Sequence, residues 1–141
     1  MTVAEAVRER LLDCAAVTAL VSTRVWKDVL PQKPTLPAIR VTRISQVEPM
    51  HMRGPVGVNV ARVQVDSIAT TKASAEAIDE AVNGDGLGAG ATGARGWVGS
   101  LGSPAFDICA VLPAGVHDSY TDAEFRQWRV TRDFMVHYRE P

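Results

Sequence analysis

Apolar and polar residues alternate along the stretch from Phe125 to Tyr138. Trp128, Val130, Phe134, Val136 and Tyr138 share one parity; Gln127, Arg129, Thr131, Asp133 and His137 share the other. A period of two marks a strand with one buried face. At ~3.3 Å per residue the stretch spans roughly 46 Å, about twice the usual strand. A small domain cannot easily pair so long a strand within itself, so the pattern predicts that a neighbouring subunit contacts the excess.

The rest of the chain carries the same kinds of signal. Thr2-Val3-Ala4-Glu5 reads as a capping box, with Thr2 accepting from the Glu5 amide and the Glu5 side chain reaching back. Val3, Val7, Leu11 and Cys14 follow at helical spacing, so a first helix is expected to run to about Val17. Thr18 is then placed to cap a short turn, and Val25, Trp26 and Val29 form a short extended piece. Pro31, Pro34 and Pro37 make a connector poor in backbone hydrogen bonds. Ala38 to Gln46 is a strand whose apolar parity changes at Ile44, which predicts a bulge or two covered faces. Val47 to Gly57 is a loop and Val58 to Ser67 a second long strand. Thr70 or Thr71 caps a second helix through Asn83, with Ala73, Ala77, Ile78, Ala81 and Val82 as its apolar stripe and Gly84 as its stop. The segment 84–102 holds eight of the eleven glycines and is expected to be a flexible loop, or a thin hairpin pinned by Trp97, Val98 and Leu101. Ala105 to Leu112 is a strand and Pro113 to Glu124 a polar loop leading into the last strand.

The order α-β-β-α-β-β predicts a single α+β domain over residues 1–141. Its simplest packing is a mostly antiparallel sheet of four to five strands with two helices on one face. Such a sheet has two edges, and exposed edges invite other chains.

Composition narrows the function. The chain has 141 residues, 46% hydrophobic and 22% charged, with a net charge of −1, and a pI near 6.3. That balance argues against a basic nucleic-acid surface. Cys14 and Cys109 lie far apart and read as small buried residues rather than a disulfide or metal framework. No signal-peptide core or long apolar span is present, so neither secretion by that route nor membrane insertion is expected.

The search for chemistry yields no catalytic set. Gly84-Asp85-Gly86-Leu87-Gly88-Ala89-Gly90 follows a helix and precedes a strand, the reverse of a nucleotide-binding loop. His51, His117 and His137 have no partners at metal-ligand spacing. His117-Asp118-Ser119 contains the residue types of a hydrolytic triad, but adjacent residues cannot point at one another, and the segment reads as a turn. Asp79 and Glu80 read as a solvated helix face. No catalytic, metal or cofactor-binding residue is assigned. Two segments instead suggest contact surfaces: the tip Met50, His51, Met52 and Arg53, and the last-strand arginines Arg126, Arg129 and Arg132.

An N-terminal helix leads into Val17-Thr18-Ala19-Leu20-Val21-Ser22-Thr23-Arg24-Val25-Trp26, and Pro31-Gln32 and Leu36-Pro37-Ala38-Ile39-Arg40-Val41 follow. Val63-Gln64-Val65-Asp66-Ser67 then runs into an alanine-rich helix, and the chain closes on Trp128-Arg129-Val130-Thr131-Arg132-Asp133-Phe134-Met135-Val136. In the order and spacing of these segments the chain resembles the tail-completion, or tail-terminator, proteins of long-tailed bacteriophages. The resemblance covers roughly Val3 to Tyr138; the glycine-rich segment 84–102 departs from it. The resemblance implies a non-enzymatic virion protein that needs no cofactor, caps the tail tube as a ring, commonly a hexamer, and ends tail elongation. It places the chain in the neck, where tail meets head, after assembly in the host cytoplasm. The implied partners are further copies of itself, the tail-tube protein and a head–tail connector or stopper, with genome DNA passing through the channel unread and no membrane involved. The alternatives are a head-completion or connector subunit, or a small enzyme or ligand-binding domain with an unrecognised site.

Overall fold

The computed structural model describes residues 2–29, 35–55, 57–84, 93–101, 106–122 and 126–139. In chain order the elements are α1 (Val3–Asp13), α2 (Ala15–Val21), β1 (Val25–Lys27), β2 (Ala38–Val47), β3 (Met50–His51), β4 (Gly54–Pro55), β5 (Asn59–Ala69), α3 (Lys72–Asn83), β6 (Gly99–Leu101), β7 (Phe106–Asp122) and β8 (Arg126–Arg139). The fold is α+β, but richer than the pattern predicts. One sheet holds six strands in the order β1-β2-β5-β8-β7-β6, a second holds β3 and β4, and the helices number three among the described residues. The six-stranded sheet is mixed: β1 runs parallel to β2, and the remaining pairs are antiparallel.

Two local corrections concern the first helix. It ends at Asp13, and α2 restarts after an extended Cys14, so Thr18 lies inside a helix rather than at a cap. Thr2 stands at the N-cap but its side chain makes no capping bond. Glu5 reaches back to the Thr2 backbone, and its stronger partner is Lys27 at 2.8 Å. That ammonium lowers the Glu5 carboxyl pKa. The second predicted helix, α3, is capped as expected: the Ser74 amide donates to Thr71 Oγ1 at 3.2 Å, and Gly84 terminates the helix at φ 65°. Its buried residues are Ala75, Ile78, Asp79 and Val82, so the stripe is rotated from the expected one, which included the exposed Ala73 and Ala77.

The core lies between the helices and one face of the sheet. Val3, Val7 and Leu11 from α1, Val17 and Val21 from α2, and Ala75, Ile78 and Val82 from α3 meet Ile39, Val41, Ala61, Val63, Val65, Val130, Phe134 and Val136. The expected alternation in β5 and β8 thus sets the buried face. The bulge expected at Ile44 is present, where the β2–β5 register shifts between Arg43 and Ser45. Trp97 seals one side of the core with Arg10 above its ring, 4.9 Å from the centroid. Gly93 allows that segment to lie against α3, because a Cβ there would meet the Val82 carbonyl oxygen at 2.5 Å. Residues 85–92 and 102, part of the expected flexible loop, lie outside the described residues, as do Pro31 and Pro34 of the expected connector.

The largest correction falls on 113–122. The pattern predicts a polar loop there, but β7 continues to Asp122 and pairs with β8 to its start. Extra residues at Cys109 and Ala114 shift the β7–β8 register twice, and each shift moves the apolar parity. His117, Asp118 and Ser119 are therefore strand residues and not a turn. Cys109, expected to be buried, occupies the first shift and is exposed. β8 is paired along its length, by β5 on one side and β7 on the other, so the excess expected to need a neighbour is filled within the chain.

Candidate functional site: sheet edges and ends

The predicted contact residues fall into two groups at opposite ends of the sheet. Met50 and His51 form β3, with Met52 and Arg53 in the tight turn to Gly54. This hairpin follows the end of β2, level with the start of β5 and the end of β8. Met52 is 106% exposed, and Val47, Ile44 and Met50 are exposed with it. An arm of this kind carries flexible apolar side chains into solvent. The arginines lie toward the other end: Arg126 pairs with Asp122, and Arg129 with Ile68 and Ser119.

The three arginines differ in setting. Arg132 has the parity of the core, and its guanidinium grips α3: Nε donates to Asp79 Oδ1 at 2.9 Å, Nη2 to Asp79 Oδ2 at 2.8 Å and Nη1 to Asn83 Oδ1 at 3.3 Å. The Asp79 side chain is only 9% exposed, so the expected solvated carboxylate is buried. The paired carboxylate raises the Arg132 pKa above its ordinary value. This forked pair ties α3 to the sheet. Arg129 is half-buried on the opposite face and has no ion-pair partner among the described residues. Arg126 lies in β8, level with Asp122. Arg132→Ala leaves Asp79 buried and unpaired, so it is expected to cost about 2–4 kcal/mol in urea unfolding. A loss below about 0.5 kcal/mol would mean the pair does not hold α3.

The helix-free face carries a polar network absent from the sequence-based expectations. Asp66 is fully buried and accepts from Arg40 Nε at 3.0 Å and Nη2 at 2.6 Å, from Thr131 Oγ1 at 2.7 Å and from Gln64 Nε2 at 3.1 Å. Beside it, Arg62 Nη2 reaches Asp133 Oδ2 at 2.6 Å. Each of these carboxylates is paired with an arginine. Among the described residues no cluster of three potential metal ligands occurs. A hollow of about 10 Å³ lies among Val7, Ala94, Trp97, Ile108, Val111, Phe134 and Val136, with Arg10 at its rim. It has room for one water at most and holds no acid–base pair.

The feature that the sequence pattern does not locate is the pair of open sheet edges. β1 covers β2 only at Ile39–Val41, and the Asp28 amide adds a bond to the Val41 carbonyl at 2.9 Å. β6 covers β7 only at Phe106–Ile108, and the Gly96 amide reaches the Val111 carbonyl at 2.8 Å. Beyond these points, Thr42–Val47 and Leu112–Asp122 have no outer strand among the described residues.

The described residues thus combine a packed core, arginines paired with carboxylates inside the subunit, and two sheet edges without an outer strand along part of their length. The chain belongs to the family described as "Tail completion protein gp17", which matches residues 5–95. It is accordingly a structural protein of the bacteriophage tail. Its fold is similar to that of a chain in the solved structure "Virion of native gene transfer agent (GTA) particle". The TM-score is 0.70 at 18% identity, over 97% of this chain and 94% of that one. No curated protein sequence matches the chain.

Proposed function

We propose that the protein is a tail terminator: it caps the tail tube as a closed ring, ends tail elongation and joins the tail to the head. The observation that carries this reading is a tail-completion family fold with two open edges and contact-prone residues at opposite ends of one sheet. A head-to-tail contact between unlike surfaces closes into a ring when the rotation per subunit divides a full turn, and six copies are the expected number. The Met50–Arg53 hairpin and the Arg126–Arg129 end then face opposite directions, one toward the tail-tube protein and the other toward a connector or stopper. Genome DNA passes without being read. Arg40, Arg62 and Arg132 each pair with a carboxylate, so much of the sheet's positive charge is already neutralised and does not hold phosphate.

Light scattering and negative-stain microscopy of the purified protein with tail-tube protein test this. Rings of uniform size bound at tube ends are the expected outcome. A chain that remains monomeric and never binds tube ends overturns the reading.

A further inference from the structure

We propose that the β3–β4 hairpin is an arm that each subunit lays on the β6–β7 side of the next copy, so that Met50 and Met52 cover Val98 and Leu112. This deepens the ring reading and rests on it.

The hairpin is not self-sufficient. β3 and β4 pair only with each other, through Met50–Pro55 and His51–Gly54. A lone two-stranded hairpin is marginally stable in water. Its tip nevertheless carries two of the chain's four methionines, with Met52 106% and Met50 64% exposed. Pro55 has no N–H to offer an added strand, so the hairpin is suited to bind through side chains rather than by extending a sheet. Thioether side chains adapt to an irregular apolar surface.

The surface that fits is on the same chain. Among the described residues, every exposed large apolar side chain except Leu20 of α2 lies in or beside β1, β2 and the hairpin, or in or beside β6 and β7. On this second side Val98 is 43% and Leu112 47% exposed. Leu112 stands opposite Met135, on the helix-free face. Val98 precedes Gly99, which is opposite the core residue Ile108, so the alternation places Val98 on the helix-free face as well. The bond from the Gly96 amide to the Val111 carbonyl holds the segment bearing Val98 against β7, beside Leu112. Val47, exposed at the root of the hairpin, shares that face: it is opposite Val60 and, through it, His137.

Charge favours the same pairing. Residues 42–55 carry Arg43, Arg53 and Glu48, whereas β6 and β7 carry Asp107, Asp118 and Asp122 with no lysine or arginine. Opposite signs bring the unlike sides of two copies together and oppose contact between like sides.

The levels agree as well. In the ring reading the two ends of the sheet face tail and head, so the strands run along the ring axis and rotation to the next copy keeps each residue at its height. Val47 at the root of the hairpin and Ala110 of β7 are both level with His137. β1 stands outside β2 up to Val41 and keeps a neighbour's edge from lying against β2 along its length. The stretch from Glu48 to Met52 reaches up to ~16 Å, about three strand spacings, and crosses that gap. The contact is lateral, so the end of the sheet that bears the hairpin keeps its axial partner.

Met50→Asp combined with Met52→Asp tests the arm, and Leu112→Asp tests its seat. Each variant is expected to weaken self-association at least about tenfold in light scattering. At a dilution that separates the subunits, each is expected to melt within a few degrees of the parent, because the changed positions are exposed. Variants that form rings like the parent overturn the proposal and leave the terminator reading intact; if those rings no longer bind tube ends, the hairpin belongs to the tail tube instead. A second measurement does not depend on these variants. In a Cys109→Ser background, Met52→Cys chains mixed with Leu112→Cys chains are expected to cross-link to each other in assembled rings. Rings without that mixed link overturn the proposal, and links formed only among Met52→Cys chains replace it with hairpin-to-hairpin contact. A parent chain that stays monomeric, alone and with tail tubes, overturns both readings.

Discussion

Phe134→Asp is expected to leave the chain without a cooperative thermal transition. Phe134 is fully buried, opposite Val63 on β5 and Pro113 on β7, and it lines the small hollow together with Val7 and Trp97. Removing the ring forfeits about 3–5 kcal/mol of burial and packing. The carboxylate then either ionises without a partner or holds a proton at further cost, adding several kcal/mol. Together these approach the whole stability of a domain, about 5–15 kcal/mol. Circular dichroism during heating reads the result, with Phe134→Leu as a control expected to keep a sharp transition at a lower midpoint. A Phe134→Asp chain that melts within a few degrees of the parent would show that the centre of β8 is not the core.

The elements whose burial alternates are legible in the sequence. β5 and β8 each present Val63 and Val65, or Phe134 and Val136, to the helices and polar residues to the other side, and the period shows it. The bulge at Ile44 is also visible, because a change of parity within a strand has few other causes. The second half of β7 is not. Val116, His117 and Asp118 are exposed, so no buried face writes a period into them, and Pro113 and Gly115 look like turn residues. What makes this segment a strand is its partner β8, a long-range pairing that local sequence does not encode.

The same limit applies to the charges. Asp79 reads as solvated because its partner Arg132 lies 53 positions away. A clue is nonetheless present in β8: Arg132 has the parity of Val130 and Phe134, and an arginine on a buried face requires a carboxylate from whatever packs over it. Of the predicted contact groups, Arg132 holds α3 within the subunit, whereas the hairpin tip and Arg129 lie on separate parts of the surface. The open edges are foreseeable only as a general property of a sheet. Locating them requires the strand order, which follows from pairing and not from pattern.

Asp66→Ala is expected to cost about 3–5 kcal/mol, because one carboxylate satisfies groups on three strands. Arg40 on β2, Asp66 on β5 and Thr131 on β8 are direct neighbours in register, so the side-chain bonds run across the sheet as a single rung. Without Asp66, the buried Thr131 hydroxyl and the partly covered Arg40 guanidinium lose their acceptor while remaining out of water. The rung also specifies register. Sliding β5 by one residue against β8 would bring Ser67 or Val65 opposite Thr131 and turn the carboxylate into the apolar core. Urea unfolding checks the magnitude, and Arg40→Met with Asp66→Leu checks the cause. If desolvated, unpaired groups dominate the loss, the double variant should recover much of the stability that Asp66→Ala removes. A double variant as unstable as the sum of its single changes would assign the loss to packing at Asp66, and the rung would then contribute little to holding the three strands in place.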